Sequence, residues 1–91
     1  MNPYKDIEVT DKYIIREFNE NIDPIELLWH KDLQDRKLEV IGKTDWQFQL
    51  ENQLPVTLSE NHIFIPKYEW HRLIKGTTGT LTLKIYKNET I

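Results

Sequence analysis

Ninety-one residues, 30% of them charged, with a net charge of −3 and a mean hydropathy of −0.63, fit a single domain over residues 1–91. Its core is modest, burying about 60–65% of the unfolded surface. Interspersed charges leave no basic footprint for nucleic acid, no apolar run nears the roughly 20 residues of a membrane span, and the lack of cysteine excludes disulfides and Cys-ligated metals.

The chain opens with Met1-Asn2-Pro3-Tyr4-Lys5-Asp6, which has no apolar h-region and points to a cytoplasmic protein. Residues 1–12 mix charge with Ile7 and Val9 and read as a peripheral strand or a loose arm. Residues 13–18 are β-prone, and Asn19-Glu20-Asn21 punctuates them. One helical turn is expected around Asp23-Pro24-Ile25-Glu26, with Asp23 as cap and Pro24 at the first helical position. Alternation of Ile25, Leu27 and Trp29 with Leu28 and His30 predicts a strand over 25–32. A short strand over 37–41 follows. Trp46-Gln47-Phe48-Gln49-Leu50 alternates cleanly, with both glutamines opposite the apolar stripe.

After a turn at Asn52-Gln53-Leu54-Pro55 come a short strand at 56–58 and a second turn at Ser59-Glu60-Asn61. The strand His62-Ile63-Phe64-Ile65 stops at Pro66. Extended segments at 70–74 and 80–86 flank the hairpin loop Gly76-Thr77-Thr78-Gly79. Short strands at roughly ten-residue spacing, with turn signals between them, argue for an all-β sandwich or barrel.

The chemistry concentrates in His30-Lys31-Asp32 and Trp70-His71-Arg72. In an extended segment His30 and Asp32 project to the same side, about 7 Å apart. His71 on a neighbouring strand completes a two-His, one-carboxylate face, which suits a divalent iron, manganese, nickel or zinc ion and leaves positions for substrate. His62 follows a turn and reads as solvated. Gln47 and Gln49 either line a barrel interior, contacting the ligating residues or a bound molecule, or face solvent. Trp29, Trp46 and Trp70 read as core or interface packing. No Gly-rich phosphate loop, H-E-x-x-H helix or Ser-His-Asp pattern is present.

Over residues 25–86 the pattern resembles a small single-domain cupin. His30-Lys31-Asp32 resembles the H-x-H of the first cupin motif with Asp in the second position. Pro66-Lys67-Tyr68-Glu69-Trp70-His71 resembles the second motif, P-x-G-x2-H, with Tyr68 in the glycine's place and Lys75 in place of the closing asparagine. The resemblance implies an all-β, cupin-type double-stranded β-helix (a jelly-roll barrel) with little helix. It also implies metal ligation by His30, Asp32 and His71, and a homodimer paired through edge strands.

The position of the family's glutamate falls on Asp35 or on Arg36, depending on the alignment. Asp35 would be a further ligand; Arg36, turned inward, would hold a substrate carboxylate or phosphate. The function implied is a metal-binding protein acting on a small polar molecule, as a dioxygenase or an isomerase or lyase. A non-catalytic ligand- or protein-binding barrel stands as the alternative.

Overall fold

The computed structural model describes residues 4–58 and 62–87. The turn expected at Ser59-Glu60-Asn61 and the first three residues of the N-terminal arm lie outside the described residues. Among the described residues eight strands form, in chain order: β1 (Tyr4–Val9), β2 (Tyr13–Phe18), β3 (Arg36–Ile41), β4 (Gln47–Leu50), β5 (Val56–Thr57), β6 (His62–Ile65), β7 (His71–Ile74) and β8 (Leu81–Tyr86). They make two antiparallel sheets, a five-stranded one in the order β1-β2-β8-β3-β6 and a three-stranded one in the order β5-β4-β7. Among the described residues no helix is long and apolar enough to cross a membrane.

Period-two patterning decides which face of each strand turns inward. In β2, β8 and β3 the registers Phe18↔Leu81, Ile14↔Ile85, Val40↔Leu83 and Leu38↔Ile85 put apolar residues opposite one another on one face, where cross-strand pairs stabilise a sheet. Phe48, from the smaller sheet, and Trp46, just before it, close this core with Leu58. Trp46 is fully buried, and its indole Nε1–H donates to the Gly79 carbonyl at 2.9 Å, the partner a buried tryptophan requires.

The loop carrying Trp46 is held by Asp45. Its carboxylate accepts from the backbone N–H groups of Thr77 and Thr78 at 2.7 and 3.0 Å and from both threonine hydroxyls. Gly76 makes this approach possible. A Cβ there would run into Asp45 Oδ1 and sit 2.7 Å from Trp46 N, closer than side-chain atoms can come.

Within the N-terminal segment, Tyr4–Val9 forms β1, an edge strand of the five-stranded sheet. Thr10 shapes the β1–β2 turn: its Oγ1 accepts from the N–H groups of Lys12 and Tyr13 at 3.1 and 3.0 Å.

The strand expected over 25–32 does not form. Asp23 Oδ1 accepts from Ile25 N–H at 3.1 Å and Pro24 occupies the first position of a 3-10 turn over Pro24–Glu26, as the capping signal indicated. Beyond it only one ladder position survives, an isolated bridge between His30 and His71. Proline cannot donate to a ladder. Ile25 and Leu28 are largely exposed, so the alternation of apolar residues here does not mark a buried face.

Candidate metal centre and cavity

Two backbone hydrogen bonds build the centre. His30 N–H donates to the His71 carbonyl at 3.0 Å, and His71 N–H donates to the His30 carbonyl at 2.8 Å. Residues that exchange both bonds in an antiparallel pair stand directly opposite and project to the same face. The two imidazoles therefore meet edge to face, with centroids 4.2 Å apart. Asp32, two residues beyond His30, brings its Oδ2 to 3.4 Å from His71 Nε2. That is about the separation two donors take on one tetrahedral ion with ~2.1 Å bonds. One ligand atom from each of His30, Asp32 and His71 lies within 4.8 Å of the others.

The tautomers suit ligation. His30 Nδ1–H donates to the Leu28 carbonyl at 3.1 Å and His71 Nδ1–H to the Glu69 carbonyl at 2.9 Å. Each ring thus keeps its Nε2 lone pair for another partner, the arrangement in which backbone groups commonly orient a metal-binding histidine. His71 is only 4% exposed. Burial pushes its pKa below the usual histidine value, against the pull of the Glu69 carbonyl, and so favours the neutral ring that a metal needs. His30 is exposed and Asp32 half-buried, which leaves the site open on one side. The donor set therefore fits a divalent ion.

The centre lies in the wall of a cavity of about 360 Å³ between the two sheets. Apolar side chains from both sheets surround it, among them Leu38, Ile65 and Leu83 on one side and Phe48 and Leu73 on the other. Arg36 also lines it. Asp35 does not: its Oδ1 accepts Lys67 N–H at 2.8 Å, which ties it to the turn before β7 instead of to the histidines.

Gln47 and Gln49 lie on the face of β4 that turns away from the cavity. Gln49 Nε2–H donates to the Gln53 carbonyl at 2.9 Å, and its Oε1 accepts from Arg72 Nε–H at 2.9 Å. It borders a separate depression between Trp29 and Trp70. Those two tryptophans are 39% and 40% exposed and lie against Arg72 and Lys31, respectively. Only Trp46 of the three is core. His62 is exposed, 3.2 Å from Glu39.

Sequence reasoning passed over Arg16 and Tyr4, both in the cavity wall. Arg16 shares its strand parity with Ile14 and Phe18, an inward signal that was available. Its guanidinium sits 3.7 Å over the Tyr4 ring and makes a two-point contact with Asp6, at 2.7 and 3.2 Å.

One turn organises the rim. Tyr68 N–H donates to the Asp32 carbonyl at 2.8 Å, while Lys67 binds Asp35 and the Glu69 carbonyl orients His71. Tyr68 has φ +66°, the left-handed conformation that glycine adopts without strain. A glycine, the residue that the second cupin motif has at this place, would adopt it at no steric cost.

No protein-family model and no curated protein matches this sequence. Solved structures do. An RmlC-like cupin family protein with a double-stranded β-helix fold from Methanocaldococcus jannaschii is similar over 92% of this chain and 76% of its own, at 19% identity and TM-score 0.66. A cupin-2 domain containing protein from Shewanella frigidimarina is similar over 94% and 79%, at 17% identity and TM-score 0.63. A DMSP lyase is similar over 84% of this chain, at 19% identity and TM-score 0.66, although the chain spans only 37% of the lyase's length. Two antiparallel sheets in this order and these structural likenesses show that the chain has the cupin-type double-stranded β-helix fold.

Proposed function

We propose that this chain is a metal-binding small cupin and an enzyme of the dioxygenase or isomerase/lyase type, with a small polar molecule as its substrate. The observation behind this reading is the His30–His71 backbone pair, which sets two oriented imidazoles and the Asp32 carboxylate around one point in a cavity wall. A divalent iron, manganese, nickel or zinc ion held there would supply Lewis-acid polarisation, or redox chemistry in the case of iron. His30, Asp32 and His71 would hold it from one side and leave the cavity side to the substrate. The carbonyls of Leu28 and Glu69 keep both rings aimed, and Phe48 and Leu73 give the cavity beside them an apolar wall. The DMSP lyase among the fold neighbours is a precedent for lyase chemistry on this architecture.

A specific observation favours a second reading, a barrel that binds without catalysing. Among the described residues no buried side-chain polar atom lacks a hydrogen-bond partner, so the fold leaves no buried polar atom that only an ion would satisfy. Metal content by mass spectrometry, on protein purified without a His tag, separates the two. Near-stoichiometric metal that is lost in His71→Ala and in the exposed His30→Ala supports the metal reading. No uptake after reconstitution with each ion in turn leaves the binding barrel.

We also propose a cytoplasmic homodimer paired through β1, the outer edge of the five-stranded sheet, where Ile7 and Val9 are exposed. Unpaired edge strands invite such pairing. Light scattering on the wild type should give a dimer mass, and Val9→Lys should give a monomer.

A further inference from the structure

The cavity holds two guanidinium groups, and their surroundings differ. Arg16 is neutralised by the two-point contact with Asp6 and covered by Tyr4. Arg36 has neither an ion pair nor a side-chain hydrogen bond among the described residues, although it is half-buried and lines the same space. A charge drawn partly out of water without a partner is costly, and a ligand that supplies the partner removes that cost.

Arg36 also shares a rim with the metal centre. It follows Asp35, which is bound to Lys67 N–H, and pairs in register with Ile65, which ends at Pro66. The same turn carries Tyr68 and Glu69, which hold Asp32 and His71. A molecule seated between the sheets can therefore meet Arg36 at one point and the histidines at another.

We infer that the cavity is selective for small monocarboxylates with an apolar body, the carboxylate paired with Arg36 and the body lying against Leu38, Phe48, Ile65 and Leu83. The inference rests on the cavity being the ligand site of the reading above, but it does not require the ion. The two coplanar oxygens of a carboxylate match the guanidinium fork. A phosphate dianion would bring a second charge into walls that offer it no second unengaged cation among the described residues. At about 360 Å³ the space lies at the small end of ligand sites, which run from about 300 to 1,000 Å³. That limits the acid to a short chain or a single ring.

The test is an NMR titration of ¹⁵N-labelled, metal-free protein with hexanoate, benzoate and 3-phenylpropionate, each paired with its matching alcohol, repeated with zinc and in Arg36→Gln. The expected result is that at least one acid shifts the amides of Leu38, Phe48 and Leu73 and binds roughly tenfold or more tightly than its alcohol. That preference should collapse in Arg36→Gln, recover partly in Arg36→Lys, and persist without zinc. Equal binding of acid and alcohol, an unchanged preference in Arg36→Gln, zinc-dependent binding indifferent to Arg36, or no binding at millimolar acid would each overturn the proposal. Zinc that fails to bind while the Arg36-dependent acid preference holds would overturn the metal reading alone.

Discussion

At the scale of single residues, the side chains that matter most are those asked to satisfy several neighbours. Phe48 is nearly fully buried and its ring lies 5.8 Å from that of His71. Phe48→Ala should cost about 3–5 kcal/mol in chemical denaturation, and any metal affinity should fall with it because the histidine loses its backing. Asp45 works through hydrogen bonds. The Thr77 hydroxyl, then the Thr77 N–H and the two groups of Thr78, hold its carboxyl down to about 2 from the ordinary 3.8. The unfolded chain takes up this proton more readily than the folded one. The contribution is therefore complete above about pH 4 and lost as pH falls toward 2. Acid titration should show Asp45→Asn less stable than wild type at pH 7, with the gap closing below pH 4.

At the scale of elements, the turn from Pro66 to Glu69 is the junction between fold and site, since it holds the Asp32 loop, Asp35 and His71 together. Its positive φ at Tyr68 strains any residue with a Cβ by about 1–2 kcal/mol. Tyr68→Gly is expected to raise stability by about 0.5–1 kcal/mol, part of the relief being offset by the freer unfolded chain. Tyr68→Val should lower it instead, because a β-branched side chain tolerates that conformation worst. Thermal denaturation of the two variants checks both signs. The segment over 25–32 shows where element-level reading from sequence failed. Apolar residues alternate there without a sheet face to bury them, whereas the capping pair Asp23-Pro24 made a local signal that needed no tertiary partner.

For the whole molecule, a ligand that binds only the folded state adds RT ln(1 + [L]/Kd) to stability. Under the metal reading, zinc at a hundredfold its Kd should stabilise the protein by about 2.7 kcal/mol, raising Tm on the order of 10–20 °C for a chain of this size. Because His30 is exposed, His30→Ala should fold at nearly the wild-type Tm without metal and lose the shift. Differential scanning calorimetry of the two proteins, with and without zinc, reads this directly.

The sequence by itself determined the class of the fold and the inward parity of most strands, because a half-buried strand writes its environment into alternate residues. It also singled out His30, Asp32 and His71 as a candidate metal-holding trio among fifteen carboxylates and three histidines, through the i, i+2 spacing of His30 and Asp32 and the resemblance of both segments to the cupin motifs. Only the tertiary structure decided the rest. The two histidines meet through a single bridge between distant segments, not along a continuous strand. Arg36 enters the cavity while Asp35 turns to Lys67, a choice between adjacent positions that motif alignment left open. Arg16 is inside but neutralised by Asp6 across a bulged hairpin. Periodicity specifies which side of a strand a residue occupies, whereas the partner it meets depends on register and on pairing between segments far apart in the chain, which no local pattern records.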